Sequence, residues 1–301
     1  MNSIARGRSW LVRHLFAAAK WLDRRDPAWL AGLSPLTKRR LFGRVWRWLA
    51  SGLPDVHRLA GFDLRIPSSM VSIYVAQPYE PATTRLIERL LVPGGKAVDV
   101  GANVGYLTAV MARAVGPTGR VWAIEPDPEN LRLMRENLSR NGLADRVEVI
   151  AAAAGERHEV RRLHRQSVGA RNTLHAITAS PEAEVVEVTT LRLDEVIPEP
   201  VDLIKIDVEG SEIEALEGLG RCLAGQPRPQ MIVEWCPQAI ARAGHGPADL
   251  PRLLRRLGYR LRLVAECEGP EHLEEALARV GSGELRDGWY GNLHATPEPS
   301  A

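Results

Sequence analysis

Cysteine is scarce in this 301-residue chain: Cys222, Cys236 and Cys267 are the whole set. An odd number without C-x-x-C spacing argues against a disulfide framework and a zinc ribbon, and suits a reducing compartment. Long apolar runs are also lacking. None approaches the roughly 20 residues needed to span a bilayer, and no short apolar stretch with a small-residue cleavage site follows the N-terminus. The expected location is therefore the cytoplasm. An excess of one charge is missing too, since 39 Lys and Arg stand against 37 Asp and Glu for a net +2. That balance does not describe a polyanion binder, and no (Asp/Asn)-Pro-Pro-aromatic motif follows the fourth predicted core strand, so no DNA partner is expected. An RNA ribose stays open as an acceptor. What the chain does have is 45% apolar residues, ample for a sizeable core.

The charge is unevenly spread. Residues 1–60 carry a run of basic side chains, from Arg6 and Arg8 to Arg44 and Arg47, and five of the eight tryptophans. Trp10, Leu11, His14, Leu15 and Ala18 recur at helical spacing, as do Leu41, Val45, Trp48 and Leu49, so amphipathic helices are predicted here. An accessory layer packed on the main domain is the preferred reading, and peripheral membrane contact the alternative. A main domain over 61–296 and a disordered tail over 297–301 complete the expected organisation; nothing in the sequence sets the oligomeric state.

From residue 96 strand and helix patterns alternate, the signature of a doubly wound α/β domain with a mostly parallel sheet. Core strands are predicted over 96–102, 120–126, 147–154, 201–209, 230–235 and 259–264, with a last one over 289–295. Asp127 followed by Pro128 reads as a helix N-cap and first turn, with Gly142 as the stop. Residues 157–190 break the rhythm, their period-two run Val185–Thr190 predicting a hairpin or edge strand.

Chemistry concentrates in two places. The first predicted core strand runs into Asp99-Val-Gly-Ala-Asn-Val-Gly105 and then a helix, an arrangement that lets backbone approach a ligand at the carboxyl edge of the sheet. Glu125, at the end of the next strand, could accept both hydroxyls of a ribose, with Pro126 shaping its turn. Together they fit a nucleoside cofactor. The G-x-N-x-G order lacks the G-x-G-x-x-G spacing of a pyrophosphate loop, which disfavours an NAD(P)-dependent oxidoreductase. The second place is Val201–Glu209, where alternation puts Lys205, Asp207 and Glu209 on one face of a strand that ought to be apolar throughout. Three charges withdrawn from water need to pair or to touch a polar ligand. Ser211-Glu-Ile-Glu214 matches a capping box, which assigns Glu214 to backbone amides.

The combination of Val98–Tyr106, Ala123–Pro126 and Leu203–Glu212, with Pro78–Pro81 and Ile232–Glu234, resembles the FkbM family of S-adenosylmethionine-dependent methyltransferases over about residues 75–235. That resemblance implies the seven-stranded, Rossmann-like sheet of class I methyltransferases, here with an N-terminal helical extension. It also implies S-adenosyl-L-methionine as cofactor and O-methylation of a hydroxyl on a sugar, glycan or natural product. Carried over residue by residue, Asp99, Gly101, Asn103 and Gly105 line the cofactor turn and Glu125 holds the ribose. The Ala152–Gly155 stretch, with Ala153, lies by the adenine, and Tyr79 and Glu80 close over the cofactor. Asp207 or Glu209 is the expected base, with Lys205 balancing charge. A carboxylate cluster of Asp207, Glu209 and Glu234 could instead bind Mg²⁺; the metal-free route is preferred. His164 and His175 are further candidate bases. The Arg-rich run of Arg157, Arg161, Arg162, Arg165 and Arg171 is read as a solvated face sooner than an anion site. A non-catalytic binding protein on the same fold is the remaining alternative.

Overall fold

The computed structural model describes residues 55–74, 78–166, 172–175, 184–197, 200–225, 227–266, 269–285 and 288–299. The predicted N-terminal amphipathic helices lie outside these, as do Arg171 and Cys267. The described residues form two compact units, dividing at Tyr79 and Glu80. In the first, strands β1 (Val56–Leu59) and β2 (Phe62–Arg65) make an antiparallel hairpin, followed by a short helix, Val71–Tyr74. The hairpin spans residue 60, where the change in composition had set a boundary.

The second unit holds β3 (Lys96–Val100), β4 (Arg120–Ile124), β5 (Val147–Ile150), β6 (Ala153–Ala154), β7 (Glu159–Arg165), β8 (Glu184–Leu191), β9 (Leu203–Ile206), β10 (Gln230–Trp235), β11 (Tyr259–Val264) and β12 (Gly291–Pro297). Seven of them form one sheet in the order β11-β12-β10-β9-β3-β4-β5. Pairing is parallel from β5 to β10, and β12 runs antiparallel to both its neighbours. This is the expected doubly wound, mostly parallel sheet of the class I methyltransferase type. From β3 the chain winds outward through β4 and β5, then returns to lay β9 and β10 on the other side. The order therefore reverses between β3 and β9, the switch point at which such sheets leave a crevice for ligands.

Strand parity explains which residues meet there. Val98, Val100, Trp122, Ile124, Ile204, Ile206, Met231, Val233, Trp235, Leu293 and Ala295 belong to one buried apolar cluster. The alternate positions look the other way. In register, Asp99 pairs with Lys205, Lys205 with Ile232, and Glu234, two residues further on, with Asn292. Asp99, Lys205, Glu234 and Asn292 thus form a buried polar stripe on the opposite face.

Local signals set the helix ends. Asp127 caps Pro128–Arg140 as predicted, its Oδ1 accepting from the Glu129 and Asn130 amides at 2.8 and 3.3 Å. Other boundaries differ. The strand predicted over 147–154 divides, because after Ile150 the chain leaves the main sheet and Ala153–Ala154 pairs in parallel with Thr190 and Leu191 of β8. β7 and β8 then pair antiparallel over seven residues, building a small second sheet from the predicted irregular insertion. The last strand continues to Pro297, and the Glu298 amide donates to the Gly258 carbonyl at 2.9 Å, so order extends into the predicted tail.

Candidate active site

The turn after β3 is held by its own neighbours. Gly101, Asn103 and Gly105 all have positive φ, at 83°, 52° and 84°. A Cβ on Gly101 would sit 1.8 Å from the Asp207 carbonyl oxygen, and one on Gly105 2.8 Å from Met134 Cγ. The sequence reading tied both glycines to the approach of a ligand. In the structure they are required by the loop after β9 and by helix Pro128–Arg140. The helix after the turn runs from Tyr106 to Val115.

Asp99, the penultimate residue of β3, has 1% of its surface exposed. Its Oδ2 accepts from the Thr108 hydroxyl at 2.6 Å, while Oδ1 has no partner. Burial raises its pKa, against the opposing pulls of Lys205 and Thr108. A buried carboxylate oxygen without a donor is costly unless a ligand supplies one, so the turn carries an unfilled demand for a hydrogen-bonding or cationic group.

Glu125 fastens the turn to β4. Oε2 accepts from the Asn103 amide at 2.8 Å; Oε1 accepts from the Asp127 amide at 2.9 Å and Asn130 Nδ2 at 3.3 Å. Pro126 leads the chain through the bend that returns the Asp127 amide to this carboxylate. Burial pushes the Glu125 pKa up to about 7 in spite of these donors. Each oxygen can accept twice, so Oε2 keeps a lone pair for a hydroxyl.

On the other side of the switch point the charged residues divide. Lys205 lies in β9 and donates from Nζ to Asp207 Oδ2 at 2.7 Å. Burial works to lower its pKa, but the carboxylates of Asp207, Glu80 and Asp99 outweigh it and hold the ammonium firmly charged. The strand stops at Ile206, so Asp207 and Glu209 stand on the following loop; Glu209 has a φ of 52° and Gly210 one of 115°. The expectation that all three share one strand face is corrected for Glu209. The convergence survives, because oxygens of Asp207, Glu209 and Glu234 lie within 4.8 Å of one another. Burial, then Asp207 and Glu209, raise the Glu234 pKa well above its ordinary value.

The capping box is also corrected. Ser211 makes no side-chain cap, and its Oγ lies 3.0 Å from His175 Nε2. Glu214 forms an ion pair with Arg161 at 2.7 Å. Glu212 holds the loop before the helix, accepting at 3.1 Å from the Val208 and Gly210 amides, with burial pushing its pKa up to about 7.

The inserted sheet is stitched to both sides of the site. Arg165 Nε pairs with Asp127 Oδ2 at 2.7 Å, Asn172 donates to the same oxygen at 2.9 Å, and Thr173 Oγ1 donates to the Glu209 carbonyl at 2.8 Å. Arg157 pairs with Glu159 at 3.2 Å. Arg157, Arg161 and Arg165 therefore serve this chain's own acids, which accounts for part of the basic run without an anionic acceptor. Burial lowers the His175 pKa, leaving a neutral ring near pH 7. His164 contributes backbone hydrogen bonds to Thr173 at 2.8 and 3.2 Å.

Glu80 is buried, adopts a φ of 40° and precedes helix Pro81–Leu90. Tyr79 belongs to the first unit, its ring centred 4.2 Å from that of Tyr74. Ala153 is buried in β6; beside it the Ala152 and Gly155 amides are committed to the Ile150 and Leu191 carbonyls. Two residues escaped the sequence reading. Glu266 accepts from the Ala82 and Thr83 amides at the start of helix Pro81–Leu90, and nothing in its sequence surroundings marks it. Asn292, which donates to Thr83 Oγ1 at 2.9 Å, did carry a signal: a polar residue inside a buried strand.

Comparison with known proteins bears on this arrangement. The methyltransferase FkbM domain matches residues 99–261, which take in the end of β3, the turn, β9 and the insertion. The chain belongs to the FkbM methyltransferase family. It is similar to the AMB antimetabolite synthetase AmbE of Pseudomonas aeruginosa, 29% identical over 277 residues, which cover 79% of this chain and 13% of that protein. A protein-L-isoaspartate O-methyltransferase of Aeropyrum pernix is 48% identical over 58 residues, 19% of this chain and 22% of the relative. The chain thus spans under a quarter of either relative's length. The crystal structure of methyltransferase FkbM from Methylobacillus flagellatus aligns over 86% of this chain and 59% of that one, at 18% identity and a TM-score of 0.44. The matched span contains every site residue expected from the sequence except Tyr79 and Glu80.

Proposed function

We propose that the chain transfers the methyl group of S-adenosylmethionine to a hydroxyl oxygen on a sugar, glycan or natural product. The observation that carries this reading is the meeting, at one switch point, of the Asp99–Gly105 turn with the Asp207 and Glu209 carboxylates. When bound, S-adenosylmethionine supplies an electrophilic methyl on a sulfonium and leaves as S-adenosylhomocysteine. Asp99 would meet the amino-acid end through its unpartnered oxygen, Glu125 the ribose, Ala153 the adenine side, and Glu80 the cofactor's outer face. The chain must then supply alignment and a proton sink. An alcohol oxygen that forms a bond to carbon gives up its proton; Asp207 or Glu209 takes it, and Lys205 keeps the neighbouring negative charge tolerable. Free thiols at Cys222 and Cys236 agree with a cytoplasmic setting, and among the described residues no helix is long and apolar enough to cross a membrane.

The test is methyl transfer from radiolabelled S-adenosylmethionine to panels of glycans, macrolides and simple alcohols, with amine and carbon acceptors as controls. Label in an ether linkage is expected; label confined to the amine or carbon acceptors would overturn the O-methylation reading.

A pH effect follows from Glu125. Hydroxyls donate best to the carboxylate, and its pKa lies at about 7, so cofactor affinity is expected to fall about tenfold between pH 8 and pH 6. Stability of the unliganded chain responds the other way. A carboxyl whose folded pKa is raised binds its proton more tightly when folded, so its contribution improves as pH drops from about 7 toward the unfolded value. Calorimetric titrations at the two pH values check this, and Glu125→Gln is expected to flatten the dependence.

A further inference from the structure

We propose that Asp207, Glu209 and Glu234 bind one hard divalent cation, Mg²⁺ or Mn²⁺, at the carboxyl edge of β9 and β10. The first support is geometric. Oxygens on a common hard cation lie within about twice the bond length of one another, and one oxygen from each of these three residues lies within 4.8 Å of the other two, so small side-chain rotations bring the set onto one ion.

The second support is independent of the clustering. Glu234 is only 8% exposed, and among the described residues no hydrogen bond or cation reaches its carboxylate. Lys205, the nearest cation in the strand register, is spent on Asp207 Oδ2. Burying a carboxylate with neither donor nor counter-charge is unfavourable by several kcal/mol, and the fold nevertheless aims this one at two others. Directly across the antiparallel ladder, Asn292 is 1% exposed, and its Oδ1 is also without a partner. Unsatisfied oxygens thus gather on one face, while Glu212, the other nearby acid, is occupied by the Val208 and Gly210 amides. An all-oxygen set without histidine selects a hard ion over zinc or copper. Resting on the O-methylation reading, the cation would take an acceptor hydroxyl as a further ligand and lower its pKa beside the cofactor turn.

The experiment is titration of the full-length, chelator-treated chain with Mn²⁺, following free ion by electron paramagnetic resonance and competing with Mg²⁺. One saturable Mn²⁺ per chain is expected, weakened at least about tenfold by Glu234→Gln and by Glu209→Gln. Glu234→Gln is nearly isosteric; should it fail to fold, Glu209→Gln, on the loop, carries the comparison. No saturable uptake, or uptake unchanged in the folded variants, overturns the proposal. S-adenosylmethionine binding is measured on the same samples. Cofactor binding without Mn²⁺ uptake removes the cation site alone, whereas variant-sensitive Mn²⁺ uptake without cofactor binding supports the site and counts against the methyltransferase reading.

Discussion

Asp99→Asn is expected to weaken S-adenosylmethionine binding about 100-fold while leaving the protein folded. The substitution keeps shape and retains an oxygen for the Thr108 hydroxyl, which now donates at 2.6 Å. What it removes is the negative charge behind the unpartnered Oδ1. Hydrogen bonds to charged groups contribute about 1.5–3 kcal/mol, and about 2.7 kcal/mol corresponds to 100-fold. The unliganded protein should be no less stable, because burial already disfavours the ionised carboxyl. Calorimetry paired with thermal melting separates the two effects. Unchanged affinity would remove Asp99 from the cofactor site, and a large fall in melting temperature would assign it a structural role.

The second large effect is expected at Lys205. Lys205→Met leaves a side chain of similar length in a position 2% exposed, so packing is nearly conserved and charge is not. Asp207 loses its partner at 2.7 Å, and Asp99 and Glu80 lose the charge that offsets them. Removing one member of a buried ion pair typically costs 3–5 kcal/mol, a drop of roughly 10 °C in melting temperature for a domain of this size. Adding Asp99→Asn should restore part of the loss, since it withdraws one of the uncompensated carboxylates. A cycle of single and double variants measures that coupling. Additive losses would mean that Lys205 does not answer Asp99 across the strand register.

Both predictions depend on the polar stripe, and the sequence displayed part of it. Lys205 and Asp207 stood out because charges interrupt a strand that would otherwise be apolar, and Asp99 because it lies in a buried strand just before a glycine turn. Asp127 and Pro128 were legible for the same local reason: a cap and first-turn pair acts within four residues. Glu209 was misplaced because alternation was extended past Ile206, where Gly210 lets the chain turn away and Glu209 takes a left-handed conformation. The loss of the predicted cap at Glu214 has a tertiary cause, since Arg161 of β7, 53 positions away, claims Glu214. The need for glycine at 101 was read from the sequence, and the structure adds a second reason for it. A Cβ there would meet the Asp207 carbonyl oxygen, a contact between the turn after β3 and the loop after β9 that no local pattern encodes.

The central claim, that the switch point holds S-adenosylmethionine, is tested most directly by titrating the full-length chain calorimetrically with S-adenosylmethionine, S-adenosylhomocysteine and NADH. One site per chain for each of the first two ligands and no heat from NADH is the predicted result. Saturable binding of NADH with none of either sulfur compound would contradict it.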